Sequence, residues 1–157
     1  MAEKKYTPMM QHYLKMKEEN PDSILFYRLG DFYEMFFEDA KLVSQELDLV
    51  LTGRSAGVEE KVPMCGIPFH AANSYIQRLV KKGYKVAICE QLEDPSSAKG
   101  LVDRGIIKII TPGTYMDATM DAKSTNYMAS CDVSSFEITV IYCELSTGEL
   151  KYQTLQR

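Results

Sequence analysis

Three small constellations in this sequence have residue types that could do chemistry. Asp22, Glu59 and Lys61 resemble the set of two carboxylates and a lysine with which a nuclease holds Mg2+ and stabilises charge at a phosphate. The spacing is loose, and Glu59 sits in the Gly- and Ser-containing stretch 53–60. Cys65 and His70 could pair a thiol with an imidazole, but beside Pro63 and Pro68 the simpler reading is packing. Phe32 and Glu34, two residues apart, would share one face of a strand, with Tyr33 and Met35 on the other. Without context, the favoured reading is that Phe32 is a core aromatic among Phe26, Tyr27, Tyr33, Phe36 and Phe37, and Glu34 a solvated strand residue. The phosphate-cradling patterns G-x-x-x-x-G-K-[ST] and G-x-G-x-x-G are absent, as are the nucleophile elbow and H-E-x-x-H. The four cysteines, Cys65, Cys89, Cys131 and Cys143, form no C-x-x-C pair and stand beside only two histidines, so no zinc site is expected.

The elements that must position these residues are legible in outline. Thr7-Pro8 followed by Met9, Met10, Tyr13 and Leu14 predicts a helix over Pro8 to Glu19, stopped at Asn20-Pro21. Ile24 to Tyr27 suits a strand. Gly30-Asp31 suits a two-residue hairpin loop between aromatic strand formers, although Asp31 with Glu34 also resembles a capping box. A helix starting near Glu38 would bury Ala40, Val43 and Leu47. Residues 53–60 read as loop, and the two prolines of Val62 to Pro68 argue against a central strand there. A helix over Ala71 to Lys82, burying Tyr75, Ile76, Leu79 and Val80 and ending at Gly83, should precede strands over Tyr84 to Leu92 and Ile106 to Ile110. Residues 93–100 form a polar loop between those strands.

The fold class expected is α/β (α+β), a mixed β-sheet flanked by helices over residues 1–114, then a polar linker over 115–125. Asn126 to Asp132, Ser135 to Glu144 and Glu149 to Thr154 read as three further strands, too few for a core of their own.

At 157 residues, 45% hydrophobic and 25% charged, the composition is that of a globular domain with a core, neither disordered nor collagen-like. No apolar run is long enough to span a membrane, and no apolar stretch follows Met-Ala-Glu-Lys-Lys as a signal peptide would require. The expectation is a cytoplasmic chain with reduced, mostly buried thiols. The net charge of −4 is uneven. Residues 21–50 carry two basic and seven acidic groups, 51–114 nine basic and six acidic, and 115–157 three basic and six acidic. A basic middle could meet a polyanion even though the whole chain is acidic.

Four motifs in order, LFYRLGDFYEMFFEDA (Leu25 to Ala40), VPMCGIPFHA (Val62 to Ala71), AICEQLEDP (Ala87 to Pro95) and IITPGT (Ile109 to Thr114), resemble the N-terminal mismatch-recognition domain of the MutS family of DNA mismatch-repair proteins. The segment TPMMQHYLKMK is similar to the start of that domain, and the chain from about Asn126 to the opening of the family's ribonuclease-H-like connector domain, incomplete here. The resemblance implies that Phe32 wedges into the minor groove and stacks on a mispaired or unpaired base while Glu34 hydrogen-bonds to it. It further implies an apolar contact from Met64, phosphate contacts from Arg54 and Lys108, and mismatched or looped double-stranded DNA as the partner. The family's ATP- and Mg2+-dependent ATPase, its dimer-forming parts and its MutL-type partner would belong to a longer, nucleoid-associated protein, leaving this part without catalysis or cofactor. The alternative from another class is the Mg2+-dependent nuclease built on Asp22, Glu59 and Lys61.

Overall fold

A computed structural model describes residues 6–93, 102–113, 127–145 and 147–156. The chain divides into two compact units, residues 1–111 and 112–157. The linker expected over 115–125, and most of the polar loop over 93–100, lie outside the described residues.

In the first unit, six strands form one mixed sheet in the order β3-β4-β2-β1-β5-β6. These are β1 (Ser23–Leu29), β2 (Phe32–Phe36), β3 (Thr52–Arg54), β4 (Val62–Pro68), β5 (Lys85–Gln91) and β6 (Arg104–Ile110). The hairpin reading of Gly30-Asp31 holds: Leu29 pairs with Phe32 across a two-residue loop, and Gly30 has φ +57°, a conformation glycine adopts without Cβ strain. β1 then runs parallel to β5, the right partner for a strand reached through a helical crossover.

Helix α1 (Pro8–Glu19) begins at the proline that lacks an N–H to satisfy and ends before Asn20. Its Met10, Tyr13 and Met16 lie on the sheet face that carries Leu25, Tyr27, Phe36, Val62, Ala87 and Cys89. Tyr13 is the keystone, with its ring 4.9 Å from that of Phe36 and 5.5 Å from that of Tyr27, and its hydroxyl accepting from Phe36 N at 3.2 Å. Helix α2 (Phe37–Leu47) buries Ala40, Val43 and Leu47 as expected and covers the opposite face, where Cys65 Sγ donates to the Ala40 carbonyl. Asp39, in the first turn of α2, accepts from Leu25 N and from Lys17 Nζ, both at 2.9 Å, so a buried carboxylate ties α1, β1 and α2 together. Helix α3 (Ala72–Lys81) follows a 3-10 turn over Phe69–Ala71 and buries Ala72, Ile76, Leu79 and Val80, while Tyr75 is only half-buried.

Two expectations are corrected. Thr52–Arg54 is a strand, not loop, and Val62–Pro68 is an inner strand, paired with β2 on one side and β3 on the other. The prolines are tolerated because of where they fall. Pro68 is the final residue of the strand and Pro63 lies one residue beyond the last β2 pair, Phe36 with Met64, so toward β2 the missing donors sit at the ladder's ends; toward β3, Pro63 stands opposite Gly53 in a ladder of only three pairs.

The second unit holds a three-stranded antiparallel meander, β7 (Tyr127–Val133), β8 (Glu137–Glu144) and β9 (Glu149–Gln156). Every residue of β7 and β9 is exposed, as expected of three strands without a core. Cys65 and Cys89 are buried, and burial pushes both thiols up to about 12. Cys131 is exposed and Cys143 half-buried, so the expectation of mostly buried thiols holds only for the first unit. No helix among the described residues is long and apolar enough to cross a membrane.

Candidate nucleic-acid interface

The register of three antiparallel strands decides which side chains meet. Glu34 is opposite Gly66, Phe32 opposite Pro68 and Phe36 opposite Met64, while Met64 and Val62 are opposite Thr52 and Arg54. Directly opposed residues share a face, so Phe32, Glu34, Gly66, Met64, Thr52 and Arg54 all lie on the face that α1 covers elsewhere. Around Phe32 and Glu34 that cover is missing. Phe32, the first residue after the hairpin loop, is 46% exposed, unlike Phe36 four residues on, which is fully buried.

The open corner forms a shallow groove of about 320 Å³ lined by Phe32, Glu34, Val50, Thr52, Met64 and Gly66. A Cβ at Gly66, opposite Glu34, would lie at ordinary contact distance, 3.5 Å from Glu34 Cγ and 3.4 Å from the Tyr33 carbonyl oxygen. From β3, the Arg54 guanidinium ion-pairs with the Glu34 carboxylate. Arg54 also lies 6.0 Å from the Phe36 ring. The carboxylate is mostly shielded and the guanidinium over a third exposed, so the charge facing solvent at this groove is chiefly positive. An arginine paired to a carboxylate in this way can exchange that partner for a phosphate, because both present the same planar pair of oxygens.

Of the residues expected at the site, Phe32, Glu34, Met64 and Arg54 are thus brought together. Lys108 is not. It lies on edge strand β6, three strands from β2 and about 14 Å across the sheet by ordinary strand spacing. It pairs with Ile88, which pairs with Phe26, on the face turned away from Tyr27 and Glu34. Of the alternative set, Asp22 is exposed before β1 and Glu59 and Lys61 are exposed before β4, and no group of three His, Cys, Asp or Glu side chains among the described residues could hold a metal ion.

Behind the hairpin lies a cluster that the sequence reading missed. Arg28 stacks on the Phe69 ring with Cζ 3.7 Å from its centroid, lies 5.6 Å from the Tyr33 centroid, and reaches Glu90 at 3.3 Å. Arg28 Nε donates to the Gly30 carbonyl, and the Tyr33 hydroxyl donates to Glu90. Burial and the Glu90 carboxylate push the Tyr33 phenol up to about 12. The only sequence signal was alternation, which puts Phe26 and Arg28 on one face; that Phe69 and Glu90 join them depends on non-local pairing.

At this exposed corner of the sheet an aromatic, a carboxylate and an arginine surround a shallow groove. Residues 7–119 match the family described as MutS domain I. A protein of Clostridium botulinum (strain Loch Maree / Type A3) named DNA mismatch repair protein MutS is 62% identical over 144 residues, covering 91% of this chain and 16% of the relative. One of the same name from Clostridium tetani (strain Massachusetts / E88) is 58% identical over 146 residues, covering 92% and 17%. The chain belongs to the MutS family, and it spans about a sixth of the length of these relatives.

Proposed function

We propose that this chain serves DNA mismatch repair as the part that recognises a mispaired or unpaired base in double-stranded DNA. The observation that carries the reading is the meeting of Phe32, Glu34, Arg54 and Met64 around a shallow groove at an exposed corner of the α1 face. Phe32 enters from the minor groove and stacks on the faulty base. Wedging an aromatic into a base step costs a few kcal/mol of unstacking, and least where pairing is already broken, so selectivity comes from deformability and not from base sequence.

Glu34 supplies the second element. Beside DNA a free carboxylate is repelled by phosphates, and the ion pair with Arg54 removes that penalty during approach. On engagement Glu34 turns to the mispaired or unpaired base, and Arg54 passes to a backbone phosphate. Met64 gives an apolar contact at the kinked step, and Lys108, on the far edge, makes a separate phosphate contact. Mg2+-dependent ATP hydrolysis, dimerisation and a MutL-type partner belong, in this reading, to the remainder of a longer protein. With few basic groups, the chain alone should bind DNA weakly.

A duplex with 2-aminopurine beside a single unpaired base tests the wedge. The protein should raise its fluorescence by unstacking it, and Phe32→Ala should leave it as in free DNA. An equal rise with both proteins would reject the wedge.

A further inference from the structure

We infer that Arg28 is the positioning residue of the reading head, holding the Phe32 hairpin rigid from the back of the sheet; this rests on the reading of Phe32 above. Arg28 opposes Tyr33, so its side chain leaves the face opposite to Phe32 and touches no part of the groove. Each of its contacts bears on the loop that carries Phe32. Its Nε donates to the carbonyl of Gly30, the first loop residue. Its guanidinium lies flat on Phe69, whose own N–H donates to the carbonyl of Asp31, the second loop residue, at 2.9 Å. Its far end is anchored by Glu90 on β5, which also holds the Tyr33 hydroxyl next to Phe32 in the chain.

Both carbonyls of a two-residue turn are therefore tied to one stacked pair, Arg28 on Phe69, rooted in β1, β5 and the 3-10 turn. This device suits the chemistry. A wedge free to swing aside would bind paired and mispaired DNA alike, because it need not enter the stack. Only a wedge that cannot retreat forces paired DNA to bear the unstacking cost, and so converts deformability into preference. Arginine is required here for its plane and its fork: lysine keeps the charge but can neither lie flat on Phe69 nor reach Gly30 and Glu90 together.

The chain contains no tryptophan, so Phe32→Trp places a single indole at the wedge. Its fluorescence anisotropy in the DNA-free chain, and the ratio of affinities for mispaired and paired duplexes, are measured alone and combined with Arg28→Lys or Phe69→Leu. Thermal unfolding followed by circular dichroism checks the fold. Phe69 is 41% exposed, so its variant keeps the core even if the Arg28 variant does not. We expect both second substitutions to lower the indole anisotropy and to cut the preference at least about threefold. The loss should come from weaker mispaired binding, with paired binding equal or tighter, an outcome general destabilisation would not give. An indole as immobile in both variants as in the reference would overturn the brace, and so would greater mobility with unchanged preference. If Phe32→Ala loses no preference, the wedge assignment fails instead, and the anisotropy still decides whether Arg28 holds the loop.

Discussion

The face of the sheet that receives α1 has two parts made from the same strands, and they differ in what lies over them. Over Leu25, Tyr27, Phe36, Ala87 and Cys89, α1 supplies Met10, Tyr13 and Met16, and every aromatic there is buried. Four residues from Phe36 along β2, Phe32 has no such cover, and the strand opposite it carries Gly66 and Pro68 in place of large side chains. The same residue type is thus a core element in one part and an exposed tool in the other. The difference needs no special strand chemistry: the residues of α1 pack over Phe36 and Tyr27, and the first residue of β2 lies outside that packing.

Substitutions of like kind on the two parts should separate stability from recognition. The largest effect belongs to the covered part: Tyr13→Ala or Phe36→Ala should cost about 3–5 kcal/mol in urea unfolding, because each empties a buried site and breaks the edge-to-face contact between these two rings. Phe32→Ala should leave stability within about 0.5 kcal/mol while removing about 1–3 kcal/mol of preference for mispaired DNA. If it destabilised as Phe36→Ala does, the contrast would collapse. Smaller still, Glu34→Gln should keep binding to mispaired DNA and reduce discrimination about fivefold, since the neutral amide no longer holds Arg54, which is then free for phosphate on paired DNA as well. Equal loss on both duplexes would remove Glu34 from the recognition step.

The smallest effect is a pH dependence confined to the covered part. His12 accepts or donates at 2.9 Å with the Tyr27 hydroxyl, and burial, aided by Arg104, holds its pKa below the ordinary 6.5. A lowered folded value means that the unfolded chain takes up the proton first. Stability attributable to His12 is therefore full above about pH 6.5 and falls as the pH drops below it. Urea midpoints between pH 7.5 and 5 should show this decline, and His12→Asn should lessen it.

Much of the covered part was readable in the sequence. Pro8 and the Met10, Tyr13 spacing define α1, and Gly30-Asp31 between aromatics defines the hairpin, because local backbone preferences decide both. The open corner was readable only in its β2 residues, Phe32 and Glu34, through the two-residue period. Arg54 was legible as a cation but not as the partner of Glu34, since that depends on β3 pairing with β4, and β4 itself was obscured by its two prolines. Lys108 illustrates the converse, a residue that the family resemblance grouped with the site and the topology places on the far edge and the other face. Arg28 and its stack on Phe69 bring together residues 41 positions apart, beyond any local pattern.

The most direct test of the open corner as a reading head is fluorescence anisotropy at low salt, with the wild type and Phe32→Ala each titrated against a duplex holding a G·T pair or one unpaired base and against its fully paired counterpart. The account predicts tighter binding of the wild type to the faulty duplex and no difference for Phe32→Ala, with both proteins equally stable. A preference that survives in Phe32→Ala would contradict it.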